Sequence, residues 1–168
     1  MTWPDGTVFR ITRSSEETDG AYLEMEWDLP AHGWAPGTHV HRGLTEEYEV
    51  LDGSLDVQIA GECKTLQQGE SAVVSRGALH TFRGGSAPAR VRNVHRPALD
   101  FEPYIRLLNA TFNERRLGDG RGLRALLYTV LVLRRYPESS QAPNALLQGA
   151  LPLLAAVARA LRMRPADT

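Results

Sequence analysis

The stretch GTHVHRGLTEEYEVLDG, residues 37–53, decides how this chain reads. His39 and His41 are separated by one residue, Glu46 comes five later, and Gly53 closes the run at an Asp52-Gly53 turn. Alternate side chains of an extended strand share a face, so the two imidazoles aim at one point while Val40 turns away. His80 arrives on a separate strand in a second stretch, GESAVVSRGALHTFRG, residues 69–84. Three neutral imidazoles and one carboxylate suit one divalent transition-metal ion (Fe, Mn, Ni, Co, Cu or Zn) and leave room for exchangeable ligands. Glu47 adjoins Glu46, but alternation turns it the other way; it serves as a ligand only if a bulge shifts the phase.

The first stretch resembles the first conserved motif of the cupin superfamily, H-x-H-x4-E-x6-G. The second is similar to the family's other motif, G-x5-P-x-G-x2-H-x3-N, with Ser75 in place of the proline and Gly84 in place of the asparagine. Neither departure touches a ligand; they bear on turn rigidity and on one supporting hydrogen bond. The resemblance spans roughly residues 5 to 100 and implies a small single-domain cupin. It also implies a mainly β fold, a double-stranded β-helix of jelly-roll type, with His39, His41, Glu46 and His80 as metal ligands. Among cupins with this ligand set it points toward quercetinase-type dioxygenases; decarboxylases, isomerases, lyases and cyclases use similar sites, and a non-catalytic cupin that binds a small ligand is the competing reading.

Working outward, period-two alternation marks the first hundred residues as strands. Leu23, Met25, Trp27 and Leu29 share one face, with Glu24, Glu26 and Asp28 on the other. Leu55, Val57 and Ile59 repeat the pattern, and glycine-containing turns punctuate several further short strands. Many short strands separated by such turns predict a sandwich or small barrel.

Composition changes near Pro97, dividing the chain into a β-barrel over residues 1–98 and an α-helical extension over residues 99–168. Asp100 is positioned to cap a helix carrying Phe101, Ile105, Leu108 and Phe112 on one side. The glycine-rich segment from Gly118 to Gly122 ends it. A second helix is expected from Leu123 to Tyr136, and a third from about Asn144 to Met163, interrupted or bent near Gly149 and Pro152. These apolar helices need a partner surface. Packing on the outside of the barrel or at a homodimer interface is expected; a lid over the barrel mouth is the second choice. The Leu126–Leu133 run is far shorter than the ~20 residues of a bilayer span, and the later apolar run carries Gln148, Pro152 and Arg159, so no stable membrane span is expected.

Charge narrows the partners. The 168 residues carry a net charge of −1, which argues against general nucleic-acid binding. The charge is uneven, with −5 up to Leu99 and +4 from Asp100 onward, an asymmetry that favours contact between the two parts or between subunits. Cys63 is the single cysteine, so no intramolecular disulfide forms, and its reading is a small strand residue. The first residues lack a basic stretch before an apolar run, which leaves a cytoplasmic location as the expectation.

Alternation also suggests what surrounds the metal. Tyr48 and Val50 share the face of Glu46, and Phe82 that of His80, making these three the expected substrate-pocket walls. The Tyr48 hydroxyl is placed to orient a substrate or donate a proton, or is satisfied by backbone. His95 falls on the strand Ala89 to Arg96, either as an acid/base or supporting group inside the barrel or at the strand's frayed end. Arg42 points away, Arg90 and Arg92 face solvent, His32 sits in an exposed turn, and Trp34 stands near the entrance. With no cation facing inward, the pocket is expected to be mostly apolar and to take a small neutral or aromatic substrate.

Overall fold

The computed structural model describes residues 1–33, 35–115, 117 and 121–166. Among the described residues, eight strands precede three helices: β1 (Val8–Arg13), β2 (Leu23–Leu29), β3 (Thr45–Asp52), β4 (Ser54–Ile59), β5 (Glu62–Gln67), β6 (Ser71–Val74), β7 (His80–Gly84) and β8 (Ala89–Arg96). The helices are α1 (Phe101–Glu114), α2 (Gly122–Arg135) and α3 (Ala145–Ala160).

The strands form two antiparallel sheets, ordered β1-β2-β8-β3-β6 and β5-β4-β7. Their register follows the hydrophobic pattern. β2 alternates strictly, burying Leu23, Met25, Trp27 and Leu29, and β3 buries Glu46, Tyr48 and Val50. The inner faces meet where Trp27 stacks on Phe82, ring centroids 4.8 Å apart, joining the five-stranded sheet to the three-stranded one. Gly53 turns the chain from β3 into β4 at φ 75°, and a Cβ there would lie 2.3 Å from the Pro88 carbonyl oxygen. Both the backbone angle and the close approach demand glycine.

The helical part begins where expected, with two local differences. Asp100 stands at the N-cap position of α1 but makes no side-chain cap; its carboxylate instead accepts from the Ser139 hydroxyl. A partner from the α2–α3 connection has outcompeted the local amide. α3 runs through Gly149 and Pro152 as one element, started by Asn144, whose side chain accepts from the Leu147 amide at 2.9 Å. α2 begins at Gly122; the glycine-rich positions 118–120 lie outside the described residues.

α1 buries Phe101, Tyr104, Ile105, Leu108 and Phe112 on one face. Trp3 packs edge-on against Phe112 at 5.0 Å, so the N-terminal segment bridges β1 and α1. The α2–α3 connection reaches the barrel: Gln141 and Val40 exchange backbone hydrogen bonds of 2.9 and 3.2 Å. Among the described residues, no helix is long and apolar enough to cross a membrane.

Candidate metal centre

Three elements bring the cluster together. Glu46 sits on β3, paired with His95 of β8 on one side and Val74 of β6 on the other. His80 opens β7 in the opposite sheet, and His39 forms an isolated bridge with it, each amide donating to the other's carbonyl at 3.0 Å. His41 lies two residues on. The ligating atoms of His39, His41, Glu46 and His80 all fall within 4.8 Å of one another, and three of the four residues are buried.

Proton placement makes the cluster specific. The Nδ1 atoms of His39 and His80 lie against the carbonyl oxygens of Gly37 and Ala78, at 2.9 and 3.0 Å. That of His41 meets the Ser139 carbonyl. A carbonyl accepts only, so each Nδ1 carries a proton, and in the neutral ring Nε2 is the side left with a lone pair. The Nε2 atoms of His41 and His80 lie 3.4 and 3.0 Å from Glu46 Oε2, and all three atoms are buried without a hydrogen-bond partner. In the neutral rings these buried acceptors repel one another unless a proton or a metal cation stands between them; against the effect of burial, the contact with Glu46 raises the His80 imidazole. The donor set fits a transition-metal ion, and the carbonyl behind each histidine is the usual support for a metal-bound imidazole.

Glu46 divides its two oxygens. Oε2 faces the histidines, while Oε1 accepts from Asn93 Nδ2 at 2.8 Å and lies 3.3 Å from His95 Nε2. Burial alone would raise the Glu46 carboxyl, but its contacts with His95, His41 and His80 hold it well below the usual carboxylate range. Burial and the neighbouring His80 and His41 push His39 down to about 3, so it is neutral. Burial also lowers His95, against the pull of Glu46.

His95 is fully buried and stacks on Phe101 at 3.6 Å, so it lies inside the barrel and not at a frayed end. Tyr48 is fully buried too, its hydroxyl beside Glu46 without a hydrogen-bond partner; burial and that carboxylate raise its pKa well above the ordinary phenol value. Glu47 faces outward, 3.8 Å from Arg92, which also binds Glu49 and Glu24. Trp34 lies outside the described residues.

A cavity of about 590 Å³ opens directly above the cluster, lined by His39, His41, Glu46 and Phe82 from the barrel. Tyr48 and Val50 are not among its walls; both are buried, and Tyr48 packs 5.6 Å from Phe82. Phe9, Trp27 and the loop 35–38 complete the barrel side, and the rest of the wall comes from α1, α2, α3 and the α2–α3 connection. Residues of the three helices thus share one cavity with the barrel. Periodicity shows that a helix has an apolar face but not which surface it meets. Asn93 and the Ser139 carbonyl are further site groups that the sequence did not single out. Asn93 shares an alternating face with His95, a usable signal, whereas a carbonyl 98 residues from His41 leaves none.

Residues 25–95 match the family model described as the cupin domain. No curated protein matches the chain. Among solved structures, KdgF from Halomonas sp. superposes with a TM-score of 0.50 at 17% identity, over 56% of this chain and 82% of that one. A predicted oxalate decarboxylase from Thermotoga maritima gives 0.51 at 22% identity, over 54% and 80%. At such identities these two structures speak for the fold alone, and the family-model match lies within the barrel.

Proposed function

We propose that the chain is a metal-dependent, dioxygenase-like enzyme acting on a small organic molecule, aromatic or polyketide-like. One divalent transition-metal ion is held by His39, His41, Glu46 and His80. The observation that carries this reading is the convergence of histidine Nε2 atoms on Glu46 Oε2, open to an apolar cavity on one side. Such an ion supplies Lewis acidity toward a chelating oxygen substrate and, when redox-active, electron transfer to dioxygen. The residues do the positioning. Asn93 and His95 engage Oε1 and leave Oε2 to the metal side; Ser139 fixes the ring of His41; Phe82 and Phe101 exclude water from the substrate end. Tyr48 and His95 do not line the cavity, so in this reading both act on the reaction through Glu46.

The barrel, residues 1–98, and the helical extension, residues 99–168, form one reaction chamber in this reading, and the protein works as a homodimer joined through α3. Elemental analysis of protein purified without chelator is expected to give near-stoichiometric metal, and His41→Ala to lose most of it. Oxygen electrode traces with flavonols and ortho-diols are expected to show uptake that tracks metal content. Wild-type metal in His41→Ala overturns the ligand set. Full metal without oxygen uptake replaces the dioxygenase-like reading with redox-neutral chemistry: isomerase, cyclase, lyase or decarboxylase.

A further inference from the structure

The cavity above Glu46 is far larger than the metal cluster needs, and its wall is one-sided in chemistry. Its ionisable lining, among the described residues, is His39, His41 and Glu46 of the cluster together with Tyr104. Burial raises the Tyr104 phenol, which keeps it neutral. No lysine, arginine or aspartate among the described residues faces the cavity, although the chain carries 19 basic side chains. Away from the cluster the wall is mostly hydrocarbon, with Ile105 and Leu108 from α1, Val130 and Leu133 from α2, and Leu151 and Leu154 from α3; its polar members, Thr38, Thr129, Ser140 and Gln141, are all uncharged. A charged group entering there would lose its hydration and find no counter-ion. The volume falls in the range that encloses a ligand of drug-like size. The exposed lining residues Gly37, Thr38, Gly122, Leu126 and Leu147 mark the rim, between the barrel loop and the first turns of α2 and α3.

We infer that this chamber takes an uncharged amphipathic molecule, with its oxygen-bearing end at the histidine–glutamate cluster and an apolar body of drug-like size beneath α1–α3. The oxygen-bearing end rests on the metal-centre reading; the apolar body rests on the helices alone. The substrate class is thus set by the helical extension, while the barrel sets the chemistry.

Anaerobic calorimetry with three matched probes tests this: catechol, 4-hexylcatechol, and 6-(3,4-dihydroxyphenyl)hexanoate, which ends the same chain in a carboxylate. Burial of a methylene is worth about fourfold in affinity, so 4-hexylcatechol is expected to bind roughly 100-fold or more tightly than catechol. The carboxylate probe should lose most of that gain. Leu154→Glu places a charge in the hydrocarbon wall and Thr129→Trp fills the chamber from α2; each is expected to weaken 4-hexylcatechol at least tenfold more than it weakens catechol, with metal content unchanged. Equal affinity for catechol and 4-hexylcatechol in the wild type overturns the inference, as does indifference of 4-hexylcatechol to both variants when circular dichroism shows them folded. Chain-length dependence in protein that takes up no metal keeps the chamber and removes the metal reading. Full metal with no chain-length dependence does the reverse.

Discussion

Asn93 donates from Nδ2 to Glu46 Oε1 at 2.8 Å, and this one bond decides which carboxylate oxygen faces the histidines. Removing such a supporting partner of a metal ligand typically costs 10–100-fold in metal affinity. Asn93→Ala is therefore expected to bind metal about 10–100-fold more weakly in competition with a chelator, without changing the ligands themselves; wild-type affinity would show that β3 alone orients Glu46. Tyr48 offers the opposite case. Its hydroxyl is buried without a partner, so its desolvation is uncompensated in the folded state. Tyr48→Phe is expected to leave unfolding free energy unchanged or raised by about 1 kcal/mol, read from denaturant melts. A fall in turnover at unchanged metal content would then assign the hydroxyl to the reaction, and an unchanged rate would leave it as core.

Among the elements, β2 and β3 were legible because alternation along a half-buried strand is a local property, and the turn at Gly53 because only glycine takes its backbone angle so close to Pro88. The same period placed Glu46, Tyr48 and Val50 on one buried face. It could not say which of them reaches the cavity, and Val50 and Tyr48 are buried without lining the cavity that Phe82 lines. α1 was legible as an amphipathic helix but not in its docking, since Phe101 meeting His95 and Asp100 meeting Ser139 are contacts between distant segments. Glu102 shows how α1 is held to the barrel. Its carboxylate accepts from the Ser15 amide and hydroxyl, both at 2.8 Å, and from Arg106 one turn along. Burial would raise this carboxyl, but the Ser15 and Arg106 contacts outweigh it and lower the pKa. A carboxyl lowered by folding stabilises the protein above the unfolded value of about 4.3, and that contribution fades as pH falls through the folded value. Glu102→Gln is thus expected to cost about 1–2 kcal/mol at pH 7, in the range of a lost charge-assisted hydrogen bond. The gap to wild type should narrow below about pH 4. Urea melts at several pH values check it; a gap independent of pH would mean that the side-chain amide serves Ser15 as well as the carboxylate does.

At the scale of the whole molecule, α3 is the element that leaves an apolar outer side exposed. Its inner residues Leu151, Ala155 and Ala158 are buried against the rest of the chain. Leu146, Leu153, Val157 and Leu161 remain 83%, 68%, 42% and 63% exposed. With Ala150 these positions recur three or four residues apart, one continuous stripe about 100° around the helix from the residues that face the cavity. Single exposed leucines are ordinary, but a stripe along a whole helix is an interaction face. A second copy of α3 supplies an apolar match of the same length about a twofold axis, the commonest symmetry of soluble oligomers. Light scattering at micromolar concentration is therefore expected to give twice the chain mass. Leu153→Glu combined with Val157→Glu places four like charges at the paired stripes and should shift the protein to monomer by at least tenfold in dissociation constant, with circular dichroism unchanged. Because the stripe and the cavity lining lie on different sides of α3, metal content should survive that shift. A wild-type monomer would overturn the dimer, and loss of metal on dissociation would show that pairing through α3 holds the helices against the barrel.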